Sequence, residues 1–176
     1  MDKLSLLQNE SFSVYDAQSL ASAASCNAEM LDHLLCIATE DSSKEAQRAA
    51  WALTHLPKES TVLLEPYRNR LSTSALNTDS STLRRLMLTL LIRLPWGIDD
   101  IETHLLDFCF SHINNPHQPY GVRALCIKLA WLQCRHYEEL RHELQQSILM
   151  INTNDVGPGI QSVVKHINKA LLVAAR

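Results

Sequence analysis

Histidine and cysteine are the residues best able to bind a metal or attack a substrate, and this chain of 176 residues has eight of one and five of the other. Their spacing argues against either use. His104 and His112 are eight apart and His136 and His142 six apart, and no HExxH or His-x-x-x-His pair exists to put two imidazoles on one helix face. Cys26, Cys36, Cys109, Cys126 and Cys134 form no CxxC pair, and their odd number suits reduced thiols. Cys109 and His112 could share a helix face, but Cys109 falls on an apolar stripe and His112 near a helix end. There is no glycine-rich phosphate loop and no GxSxG elbow. The acidic runs Asp99-Asp100 with Glu102, and Glu138-Glu139 with Glu143, suit the positive first turns of helices. The expectation is a protein with no metal, no cofactor and no catalytic constellation.

The remaining chemistry is that of cations and aromatic rings. Trp51, His55, Arg85, Arg93, Arg123, Trp131, Lys165 and Lys169 fall on one grid with Gln47, Thr89, Ile127 and Gln161. Five of these twelve positions are Arg or Lys and none is acidic, in a chain whose net charge is −3. Guanidinium groups beside aromatic faces suit phosphates, nucleic-acid bases and acidic peptides. The competing reading is a solvated set of helix faces, with Arg and Lys stems covering apolar neighbours and Trp filling gaps between helices.

That grid exists only if four helices share a register, and the apolar residues say that they do. Ala49, Ala50, Leu53 and Leu56 follow the i, i+1, i+4, i+7 pattern of one helix face. Thirty-eight residues on, the same places hold Met87, Leu88, Leu91 and Leu94; then Leu125, Cys126, Leu129 and Leu132; then Val163, Val164, Ile167 and Ala170. All sixteen are apolar in a chain that is 46% hydrophobic. Chance alone gives on the order of a few in a million for one preset frame. Pro57 and Pro95 each follow the last residue of a stripe, where a helix must stop.

Between these B helices lie A helices with stripes of their own. They are Leu31, Leu34, Leu35, Ala38; Leu63, Leu64, Tyr67, Leu71; Ile101, Leu105, Cys109, Ile113; and Leu140, Leu144, Ile148, Ile151. Asn27, Ser42 or Ser43, Ser60, Ser80 or Ser81, and Asp99 or Asp100 read as helix starts. The predicted map is A helices over 27–40, 60–76, 98–114 and 137–152, and B helices over 43–56, 80–94, 118–134 and 159–174. A short Ala/Ser-rich helix over 13–25 would cap the N-terminal end, and no segment alternates as a strand would. The expected fold is all-α: one domain over 1–176, with a cap over 1–26 and repeats at about 27–56, 60–94, 98–134 and 137–174.

The segments Arg48–Pro57, Leu83–Pro95 and Val122–Leu132, in pairs of 37 to 40 residues, resemble HEAT-like (armadillo-type) helical repeats, in particular small free-standing bacterial proteins of this kind. The resemblance covers about residues 27–174 and implies an α-α superhelix with the B helices lining its concave face. It implies no particular activity, only a scaffold that binds partners: another protein, or an anionic ligand including nucleic acid, on that face. The alternative is a DNA-binding or repair protein similar to the HEAT-like alkylpurine glycosylases, which need a carboxylate in the groove. None of the twelve grid positions is acidic. No apolar run reaches the length of a membrane-spanning helix, and residues 1–10 lack a basic segment before their apolar stretch. With the unpaired cysteines, these point to the cytoplasm. Oligomeric state leaves no mark on the sequence.

Overall fold

Four helix starts are set by short polar side chains that accept the first free backbone N–H groups. Ser13 and Asp16 form a reciprocal capping box, and the Ser13 hydrogen bonds hold the Asp16 carboxyl below its ordinary pKa. Asn27 accepts from Met30 N–H, Ser43 from Ala46 N–H and Ser80 from Leu83 N–H, as the sequence predicts for these caps. A computed structural model describes residues 3–174 and, among them, shows helices and turns and no strand. The helices are α1 Val14–Cys26, α2 Ala28–Glu40, α3 Lys44–Thr54, α4 Arg68–Asn77, α5 Ser81–Arg93, α6 Thr103–Ile113, α7 Tyr120–Cys134, α8 Glu138–Leu149 and α9 Pro158–Ala174, with 3-10 segments at Lys3–Gln8 and Lys58–Tyr67.

The chain forms two compact units that meet in sequence between Pro95 and Trp96. In the first, α2 packs on α3 and α4 on α5, as successive helix pairs, while α3 also packs on α5 and α2 on α4. B helices thus touch B helices and A helices touch A helices, which makes two layers. The capping helix α1 lies against α2 and α3. Small residues let it approach: Ala17, Ala21 and Ala24 of α1, and Ala46, Ala49, Ala50 and Ala52 of α3, are all buried. In the second unit α6 pairs with α7 and α8 with α9, while α7 packs on α9 and α6 on α8, the same layering.

The 38-residue register is a core register. Ala49, Ala50, Leu53, Leu56, Met87, Leu88, Leu91, Leu94, Cys126, Leu129, Val163, Val164 and Ile167 are buried, and Leu125, Leu132 and Ala170 are half-buried. Trp96, which no stripe includes, is also buried.

Three expectations are corrected. The A helix expected over 60–76 with Ser60 at its start is instead a 3-10 segment followed by α4. Pro66 sits inside that stretch and has no N–H for an α-helical bond, so the chain tightens before it can begin α4. Leu63 consequently points outward and is exposed, not part of the stripe. The helix expected from residue 98 starts at Thr103, because the Asp100 carboxylate accepts the Gly97 N–H and closes a turn over 97–100.

Leu91 and Leu129 are completely buried in their respective units. Truncating either to Ala should cost about 2–5 kcal/mol in denaturant unfolding, and a loss below about half a kcal/mol at both sites would disprove the register.

Cysteine environments divide in the same way. Cys26 and Cys36 are exposed, whereas Cys109, Cys126 and Cys134 are buried. Burial, with the Glu143 charge as a smaller cause, pushes the Cys134 thiol up to about 12, and burial raises Cys109 well above its ordinary value. A thiol-specific reagent at pH 8 should therefore label Cys26 and Cys36 rapidly and the other three only on unfolding. Because the folded state holds Cys134 protonated while the unfolded chain ionises it near 9, its contribution to stability should be intact below pH 9. It should be lost as the pH rises from about 9 to about 12. Fast labelling of all five thiols in the native protein would contradict the burial.

Candidate basic cleft between two B helices

Lys44, Gln47, Arg48 and Trp51 recur at three- and four-residue steps, so they stand on one face of α3. Across from them α5 presents Thr82, Arg85 and Leu86. Together these residues line a cleft of about 280 Å³ in the first unit, with no acidic side chain among them.

Each wall has been prepared differently. Arg48 is anchored: Nη1 donates to Leu7 O at 2.7 Å, Nη2 to Glu10 O at 3.5 Å, and the guanidinium lies 5.6 Å from the centre of the Phe12 ring. Trp51 is half-buried and makes edge contacts with Phe12 and His55, each with ring centres 5.7 Å apart. Those neighbours fix the indole while leaving part of it at the cleft. Lys44 and Arg85 are exposed, and neither side chain has a hydrogen-bond acceptor or ion-pair partner among the described residues.

The freedom of Arg85 follows from its neighbour. At the start of each B helix one side chain donates to main-chain carbonyls at the end of the preceding A helix or in the turn between them. Gln47 Nε2 donates to Ser42 O at 3.3 Å, Arg123 Nε to Ile113 O at 2.9 Å, and Gln161 Nε2 to Thr153 O and Val156 O at 2.9 and 3.1 Å. By register Arg85 is the fourth member of this set. In the structure Arg84 does the work instead, with Nε on Ala75 O at 3.0 Å and Nη2 on Thr78 O. The adjacent arginine is left over.

The other grid residues have varied placements. His55 is half-buried behind Trp51, and its Nε2 is buried without a hydrogen-bond partner. Arg93 is half-buried and spends both amino groups on Thr54 O and Leu56 O at the end of α3; burial lowers its pKa. In the second unit Arg123 and Ile127 are buried, so the outward direction the register implies for them is not realised. Trp131 there is half-buried. Lys165 and Lys169 are exposed and, with Gln161, Val164 and Leu172, flank a separate open depression on α9. The structure thus brings Trp51, His55 and Arg85 together in one unit, and Lys165 and Lys169 together in the other. Lys44 and Arg48 escaped the grid, which steps by four residues and passes over them; Arg48 stands three residues before Trp51 and Lys44 seven, so following the i, i+3, i+4, i+7 face back from Trp51 would have found both.

Over residues 5–171 the sequence matches the HEAT repeat domain, and the chain belongs to that family. No curated protein and no solved structure gives a significant match. HEAT repeat domains commonly mediate protein interactions and are typically non-catalytic. Among the described residues no group of three or more His, Cys, Asp and Glu is placed to hold a metal ion. No described helix is long and apolar enough to cross a membrane.

The two adjacent arginines should separate cleanly by mutation. Arg84→Ala removes charge-assisted bonds to two carbonyls and should destabilise the fold by about 1.5–3 kcal/mol. Arg85→Ala should leave the denaturation midpoint unchanged. Equal destabilisation by both would show that Arg85 is structural.

Proposed function

We propose that this chain is a non-enzymatic interaction scaffold and that the cleft between α3 and α5 binds an acidic segment of a partner protein. The observation that carries this reading is the unemployed Arg85, set beside Lys44 and a braced Trp51 in a cleft without an acid. A cation that the fold does not use costs nothing to redirect, whereas Arg48 and Arg93 would first have to leave their carbonyls. Two free cations on neighbouring helices about 10 Å apart reinforce each other, because that spacing is close to the Debye length at 0.1 M salt. Trp51 adds an aromatic face of the kind enriched at binding hot spots.

Nucleic acid is the second reading, favoured by the same indole, which could stack a base. It is the weaker one. A base-excising enzyme needs a carboxylate to stabilise the developing positive charge, and no acid lines the cleft. A cytoplasmic site of action goes with either reading, since Cys26 and Cys36 are exposed free thiols.

The test is titration of labelled poly-glutamate peptide, single-stranded DNA and duplex DNA at 50 and 200 mM salt. The acidic peptide should bind tighter than millimolar at the lower salt and weaken at the higher, as contacts dominated by charge do. The double variant Lys44→Glu/Arg85→Glu should lose about tenfold or more in affinity while melting normally. No binding tighter than millimolar at 50 mM salt, or unchanged binding by the double variant, overturns the proposal. Tighter binding of single-stranded DNA than of the peptide would move the assignment to the second reading.

A further inference from the structure

Arg123 performs the carbonyl-anchoring task in the second unit, but it does so with only part of its guanidinium. Nε donates to Ile113 O at 2.9 Å, and the guanidinium carbon lies 5.9 Å from the centre of the Tyr120 ring. The side chain is only 6% exposed, yet its other N–H groups find no acceptor among the described residues. Arg84, in the same role in the first unit, spends both Nε and Nη2 on carbonyls. No Arg123 nitrogen is both sealed from solvent and unpaired, so its free N–H groups open onto the space beside them.

Arg123 lines a pocket of about 340 Å³ that Asn114, Tyr120, Met150, Asn152 and Asp155 also line. Its volume sits at the lower end of the range for small-molecule sites. Two further features give it a polarity. The α7 helix begins here with Pro119 at its N-cap, which offers no side-chain acceptor, so the positive end of the helix stays uncompensated on the Arg123 side. On the other wall the Asp155 carboxylate takes a hydrogen bond from Asn152 Nδ2 but has no ion-pair partner among the described residues. Tyr120, whose hydroxyl donates to Asp155 O at 3.2 Å, ties the two walls together. One unmet cation and one unpaired carboxylate therefore face the same small space without meeting each other. Met150, Ile151 and Val156 supply its apolar lining.

We infer that this pocket is a binding site for a small zwitterion, a free α-amino acid with an apolar side chain. Its carboxylate would accept from the free Arg123 N–H groups, its ammonium would donate to Asp155, and its side chain would lie on the apolar residues. The inference is independent of the α3–α5 cleft, which belongs to the other unit.

The full-length chain should be titrated calorimetrically with L-leucine, with acetate and with inorganic phosphate. Leucine should bind saturably and about tenfold or more tighter than acetate, because only leucine engages both charges. Asp155→Asn, a change at an exposed turn, should reduce leucine to the acetate level without moving the melting temperature. Arg123→Lys should abolish binding of both; if that variant does not fold, the leucine-to-acetate ratio and Asp155→Asn still decide. Phosphate binding as tight as leucine, leucine binding unaffected by Asp155→Asn, or no saturation by about 10 mM would each overturn the inference.

Discussion

A helix packed on nearly every side has few directions in which to send a charge, and α5 is in that position. Leu83, Leu86, Met87, Leu88, Leu90 and Leu91 are buried within a single thirteen-residue helix. Two of its three arginines therefore leave near the ends and find polar company there, and Arg85 alone goes straight out to solvent. Arg84 reaches back to the end of α4, and Arg93 reaches across to the end of α3. The two acts have one cause and one effect. Apolar burial forces the guanidinium groups outward along the helix, and the guanidinium groups close the carbonyls that the neighbouring helix ends leave open. Core and helix termini are satisfied by the same helix.

The second unit solves the same problem with the same tools. Arg123 closes the end of α6, Arg135 Nη2 donates to Trp96 O, and Arg141 Nη1 donates to Arg135 O at 3.0 Å. The arginines in this protein are thus mostly structural bolts. Function has to be sought in whatever the bolts leave over: a whole side chain at Arg85, or a few N–H groups at Arg123. This is why a count of cations on a helix face says little about binding, even where the face has been located correctly.

How far the sequence discloses this can be traced residue by residue. The four B helices are legible because burial enforces periodicity, and Ala49, Met87 and Leu129 could not be polar in their places; the capping helix shows only in its Ala/Ser-rich composition. The A helix around Pro66 was less legible, since the stripe through Leu63, Leu64, Tyr67 and Leu71 has helical spacing although the proline forbids a continuous α-helix. Asp100 reads equally well as a helix cap or a turn closer, and only the packing of Trp96 and the Gly97 turn decides. The cleft was half legible. Trp51 and Arg85 lie on the expected grid, but the grid cannot say that Arg84, one residue earlier, would take the anchoring role. Nor can it say that Arg123 would turn inward. Long side chains choose among acceptors several ångströms away, and those acceptors belong to other segments.

Those acceptors are main-chain oxygens, and that has a bearing on how such repeats change over generations. A salt bridge ties two positions together, so that altering one creates pressure on the other. A guanidinium bound to Ala75 O, Thr78 O or Ile113 O makes no such demand, because every amino acid carries the same carbonyl. The receiving positions are at liberty to drift as long as the helix ends where it does, and only the donor is held. Correlated substitutions, the usual trace of a contact in a family of sequences, should therefore be missing at the very contacts that join one helix to the next. Repeats built in this way can lose almost all resemblance to one another while keeping the same joints.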